Sequence, residues 1–166
     1  MSHEFSHLFE LLKSGSIEQL DEVARHTPGF PEGVDSFIGR RWIVNAIDSG
    51  STATIKWMLR KGVDLNFRDQ EGYTPLHTAI ERLGANRHEV LELLLRAGAP
   101  VNIKGINDWT PAHIAAARDD VESLKLLVLF GADLTIRTDI DDYATPLEEA
   151  RNLGKTNACR YLESAL

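Results

Sequence analysis

The chain has 166 residues, about one domain, with 43% hydrophobic and 26% charged residues, a balance that suits a soluble globular fold and excludes a disordered or low-complexity chain. Eighteen Lys and Arg against 25 Asp and Glu give a net charge of −7, which removes the electrostatic basis for a grip on nucleic acid or anionic lipid. The single cysteine, Cys159, excludes an intramolecular disulfide framework and a cysteine-based zinc cluster and points to a reducing compartment, the cytoplasm; neither an export signal nor an apolar run of about 18 residues is visible, so no membrane association is expected.

In chain order, residues 5–30 place Leu8, Leu11, Leu12, Ile17, Leu20 and Val23 around Ser14-Gly15-Ser16, the pattern of two short amphipathic helices. Residues 27–39, with Thr27-Pro28-Gly29 and Pro31-Glu32-Gly33, read as a turn-rich connection and not a domain boundary, because neither side can bury its apolar face alone. From about residue 40 onward the sequence repeats itself. Thr74-Pro75-Leu76-His77-Thr78-Ala79 returns as Thr110-Pro111-Ala112-His113-Ile114-Ala115 and as Thr145-Pro146-Leu147-Glu148-Glu149-Ala150, at spacings of 36 and 35. The first two runs lead into leucine-rich stretches that end at Gly98-Ala99 and Gly131-Ala132, and a degenerate earlier copy runs from Trp42 through Gly62-Val63.

Each Thr-Pro predicts a helix start: the threonine hydroxyl accepts from unpaired amides, and proline at the first helical position gives up a donor that has no partner anyway. The following glycine pairs stop a second helix whose leucines recur every three or four residues. Three departures from strict repetition stand out. The second unit carries three extra residues near Leu83–His88, the last inter-repeat segment is two residues longer and acidic, and the first unit opens on Arg41-Trp42 instead of Thr-Pro.

These units resemble ankyrin repeats, whose Thr-Pro-Leu-His start, helix-turn-helix body and Gly-Ala-Asp-Val-Asn ending are matched closely at 72–102 and 108–134. The resemblance covers about 40–166 and implies an all-α solenoid of about four repeats with short hairpin fingers, preceded by an N-terminal helical cap. The implied organisation is one domain over 1–166: a cap at 1–38, repeats at 39–71, 72–107 and 108–142, and a C-terminal capping repeat at 143–166. Capping at both ends points to a monomer.

Chemistry is sparse. His3-Glu4-Phe5-Ser6-His7 matches a zinc-protease motif, but a catalytic zinc takes three protein ligands and no third is evident, so a metal-dependent hydrolase through His3, Glu4 and His7 ranks last among the readings. In ankyrin-like repeats the histidine of Thr-Pro-x-His ties neighbouring turns together by hydrogen bonds, and His77 and His113 are expected to do this and not acid–base work. Cys159 reads as a small buried hydrophobe, and the phosphate-binding glycine motifs are missing. No cofactor or metal is implied.

A solenoid exposes one extended concave surface, built from finger tips and first helices. The ankyrin pattern leaves free the finger positions Arg68, Gln70, Glu71, Tyr73, then Lys104, Ile106, Asn107, Trp109, then Arg137, Asp139, Ile140, Asp141, Asp142 and Ala144. On the first helices it leaves Asn45, Asp48, Ser49, Thr78, Glu81, Arg82, Ile114, Ala117, Arg118, Glu149 and Asn152. From these, Arg68, Gln70, Glu71, Tyr73, Arg82, Ile106, Asn107, Trp109, Arg118, Asp139, Asp141 and Asp142 are the expected partner-binding residues. Tyr73 and Trp109 should stand side by side at the finger bases as aromatic anchors. The partner is expected to be another protein. The −7 charge and the acidic last finger favour a basic one, such as a toxin neutralised by its immunity protein. A general adaptor or scaffold in a larger assembly is the alternative.

Overall fold

The computed structural model describes residues 3–36, 38–139 and 143–166, and the side chains of all of these but 3–5. Ten helices follow one another among them: α1 His3–Ser14, α2 Ile17–His26, α3 Trp42–Ser49, α4 Thr52–Lys61, α5 Pro75–Glu81, α6 Arg87–Arg96, α7 Pro111–Ala117, α8 Val121–Leu129, α9 Pro146–Asn152 and α10 Thr156–Ala165. Odd-numbered helices stack on odd, and even on even. The result is an inner row and an outer row, which is the expected helical solenoid: an N-terminal pair followed by four further pairs. No strand occurs among the described residues, only an isolated antiparallel bridge between Val34 and Arg41.

The Thr-Pro signals act as expected. Proline occupies the first turn of α5, α7 and α9, and Thr74, Thr110 and Thr145 are their N-caps. The Thr145 hydroxyl accepts from Glu148 N at 3.3 Å, and the Glu148 carboxylate accepts from Thr145 N at 2.8 Å, closing a reciprocal cap. Arg41 caps α3 without any side-chain hydrogen bond, as its departure from Thr-Pro implies. The outer helices α6 and α8 stop just before Gly98 and Gly131, both left-handed at φ 87° and 88°. The extra residues of the second unit lie in the turn 82–86 between α5 and α6.

The core is continuous from Leu8 to Leu162, with several alanines on the inner row facing leucines of the outer row. Small residues such as Ala79, Ala115, Ala116 and Ala150 let the inner helices approach closely, while Leu91, Leu94, Leu124 and Leu127 fill the space between rows. At the N-terminal end aromatic rings replace them. Phe30 meets Trp42 edge-on at 5.4 Å and stacks on Trp57 at 5.7 Å. The Trp57 indole N–H donates to Asp21 at 3.0 Å, tying α4 to α2.

Candidate functional site

The fingers are built by one recurring device. In each, a backbone hydrogen bond closes the loop: Asp35 N to Arg40 O (2.8 Å), Asp69 N to Tyr73 O (2.9 Å), Gly105 N to Trp109 O (2.6 Å) and Thr138 N to Ala144 O (3.1 Å). The side chain at the first position reinforces it where one exists. The Asp69 carboxylate accepts from Glu71 N and Tyr73 N, and the Thr138 hydroxyl accepts from Ala144 N. Asp35, 1% exposed, accepts from Ile38 N, Arg40 N and the Asn45 amide. Residues 27–39 therefore hold a finger of their own where the sequence showed only a turn-rich connection.

Two histidines hold the stack. His77 donates from Nε2 to Trp109 O at 2.9 Å, and His113 from Nε2 to Ala144 O at 3.0 Å. A carbonyl only accepts, so Nε2 carries the hydrogen, and Nδ1 takes the Thr74 or Thr110 hydroxyl at 2.6 and 2.8 Å. Both imidazoles are fully buried. Burial pushes His77 down to about 4 and His113 down as well. These are neutral structural ties between neighbouring units, as the resemblance implied.

Around this frame the expected binding residues divide. Arg68, Gln70 and Glu71 are exposed at the second finger, Asn107 at the third, and Arg118 at the end of α7. Among the described residues, Arg68 and Arg118 carry no ion pair. Tyr73 and Trp109 are half-buried at the finger bases, and Ile106 and Trp109 pack against the core. The two rings occupy equivalent places but make no ring contact with each other among the described residues. Asp139 is exposed, yet its carboxylate accepts from Lys104 at 2.6 Å, and Lys104 also reaches Asp108 at 3.1 Å. Ile140, Asp141 and Asp142 lie outside the described residues.

Several positions expected on the exposed side of the first helices are not there. Arg82 is 8% exposed and its guanidinium donates to the carbonyls of Ala46, Ile47 and Gly50, capping the C-terminal end of α3. Asn45, Thr78 and Ile114 are buried, at 1%, 3% and 3%. The reason is geometric: an inner helix of about two turns is flanked by inner helices on both sides and by its own outer helix, so little of its surface faces solvent. Ala144, expected to be free on the last finger, is buried at 2%.

Sequence reasoning also passed over Tyr143. The longer last finger moves its aromatic residue one place ahead of the positions of Tyr73 and Trp109, into the left-handed slot that Gly72 holds in the second finger. Tyr143 has φ 49° and is 60% exposed, and a bulky residue with positive φ is an outlier. Its carbonyl is held by Arg137 at 2.6 Å, which pairs in two-pronged fashion with Glu148 at 2.6 and 2.9 Å. The readable signal was the two-residue insertion itself.

Of the possible chemistry, His3, Glu4 and His7 fall in the first turns of α1. The side chains of His3 and Glu4 lie outside the described residues, and His7 is exposed. Among the described residues no group of three or more His, Cys, Asp or Glu side chains is placed to hold a metal ion. His88 and Asp120 meet at 2.9 Å, but Ser123 donates to Asp120 and not to the histidine. Asp120 caps α8, so this is a helix start bolted to the neighbouring unit and not a nucleophile with its base. Cys159 is only partly buried, less enclosed than expected. No helix among the described residues is long and apolar enough to cross a membrane.

Compared with known proteins, the chain matches the family model described as ankyrin repeats, in three copies, over residues 16–105 and 85–165. That match starts at the second helix of the N-terminal pair, well ahead of residue 40, where the sequence motifs become readable. Such repeats mediate protein–protein interaction and are typically not enzymes. No curated protein matches the chain.

Proposed function

The chain belongs to the ankyrin repeat family, and on that premise we propose that it binds a partner protein through the face formed by its fingers and inner helices, without catalysis. The observation that carries this reading is the contrast within that face. Its buried polar groups are spent on the stack itself, as His77, His113, Arg82 and Asn45 are. Arg68, Gln70, Glu71, Asn107 and Arg118 are left exposed beside half-buried Tyr73 and Trp109. Aromatic and arginine anchors rimmed by polar groups are the composition of binding hot spots.

The partner is a basic protein, and the mode is neutralisation, as an immunity protein neutralises a toxin. The −7 net charge supports this. The acidic last finger supports it less than its sequence suggests, because Lys104 already neutralises Asp139. The chain acts as a monomer of one domain over 1–166, with repeats at 39–71, 72–107 and 108–142 between its two caps. It works in a reducing compartment, the cytoplasm, where its lone thiol is stable. Affinity capture from the native host with mass spectrometry tests the reading. It predicts one prevailing basic partner at 1:1 stoichiometry, weakened by Trp109→Ala more than by any folded variant at His77 or His113. Capture that survives Trp109→Ala and Arg68→Glu together would remove the inner-face assignment.

A further inference from the structure

Between the first and second fingers the inner face opens into a cleft. Glu71 and Tyr73 stand at its finger end, Glu81 on its wall, and Leu83 at its far end, while Arg40 and Asp48 form the opposite side. The two guanidiniums that line it are already engaged. Arg40 donates to Asp48, and Arg82 is spent on the three carbonyls at the end of α3. Among the described residues neither Glu71 nor Glu81 has a cationic partner, and both carboxylates act on the Tyr73 hydroxyl. An adjoining depression shares Arg40 and Glu71 and continues to Ile38. The two ends of this surface carry aliphatic side chains in open solvent: Ile38 is 57% and Leu83 is 86% exposed. Leu83 is there because of the insertion in the turn 82–86, which swings it clear of the core.

We infer that this cleft, and not the acidic last finger, is where the partner protein is read, and that it seats an arginine or lysine side chain flanked by aliphatic residues; this rests on the protein-binding reading above. A cation entering between Glu71 and Glu81 meets two carboxylates that have no cation of their own. It lies against the Tyr73 ring, where the negative face of the aromatic adds to the attraction. Its aliphatic neighbours cover Ile38 and Leu83, apolar surface that a monomer otherwise leaves in water. Among the described residues of the last finger both carboxylates already hold a cation: Lys104 occupies Asp139 and Arg137 occupies Glu148. Raised proton affinity at the Tyr73 hydroxyl, from burial and then from Glu81 and Glu71, reports the same negative field.

The test uses acetyl-Leu-Arg-Leu-amide, titrated into the full chain and followed by amide chemical shifts. Saturable shifts at Glu71, Tyr73, Glu81 and Leu83 are expected. Affinity should fall at least about fivefold for the neutral citrulline peptide and for the Glu71→Gln/Glu81→Gln chain, because the paired charge is lost. Asp139→Asn should leave it unchanged, and Leu83→Ser, at a side chain 86% exposed, should weaken it about twofold or more. Equal melting temperatures establish that the variants fold. Equal affinity of the arginine and citrulline peptides, shifts centred on residues 137–144, or shifts scattered without saturation would overturn the assignment. The peptide stands in for no native partner, so its failure leaves the host-capture result intact, and a failed capture leaves this one readable.

Discussion

Gly105 shows how closely one residue is constrained by the stack. A Cβ there would lie 2.6 Å from His77 Cε1 and 2.8 Å from Gly72 O, so either the imidazole or the third finger would have to move. The finger pays for that space in its own chemistry. The second finger opens on Asp69 and closes on Gly72, whereas the third opens on Gly105 and closes on Asp108, which must then adopt φ 58°. Lys104 and the Asp139 amide hold the displaced carboxylate in place. Gly105→Ala is expected to cost about 1–3 kcal/mol through overpacking, measured by urea unfolding, while Gly39→Ala, where a Cβ meets nothing but φ is +71°, tests backbone strain without a clash. His77 adds a pH dependence with a definite sign. Its folded value of about 4 lies below the ordinary 6.5, so between those values the unfolded chain binds a proton that the folded chain refuses. Stability is therefore complete above about pH 7 and falls by about 3 kcal/mol as pH drops toward 4. His77→Gln should flatten that slope in urea titrations taken from pH 7 to 4.5, and an unchanged slope would contradict a neutral, buried tie.

At the scale of elements, the helix starts were legible because their signals are local. Thr-Pro specifies a cap and a first turn from two residues, and the leucine spacing of α6 and α8 specifies a buried stripe. What the inner helices expose was not legible, because burial there is set by neighbours about 35 residues away in the chain. Arg82 illustrates this: by position it is a surface residue, yet it reaches across the repeat to the end of α3. Asn86 of the turn that follows accepts from its Nε, and the same turn leaves Leu83 exposed. Arg82→Ala should leave the α3 carbonyls short of donors and cost about 2–4 kcal/mol. Thermal or urea unfolding checks it; a loss below about 0.5 kcal/mol would mean that water serves those carbonyls as well. The first finger escaped notice for a similar reason. Asp35 and Asn45 make it by a buried hydrogen bond between residues that match no repeat motif.

Over the whole molecule, five helix pairs bury one continuous core, and each pair depends on its neighbours for the surface it covers. The repeat period revealed that architecture from sequence alone. It did not reveal the charge economy of the inner face, because ion pairs such as Lys104–Asp139 join residues from adjacent fingers. That pairing occupies Asp139 on the last finger, where the run of aspartates drew attention, whereas Glu71 and Glu81 in the cleft below the second finger have no cationic partner among the described residues. The central claim is that the finger and inner-helix face binds protein. Photo-crosslinking tests it most directly, with the reactive residue placed at Gln70 or Asn107 on finger tips, or at Glu92 or Lys125 on the outer helices, in the native host. The account predicts one shared protein adduct from the two finger positions and none from the two helix positions. Adducts from the outer helices with none from the fingers would contradict it.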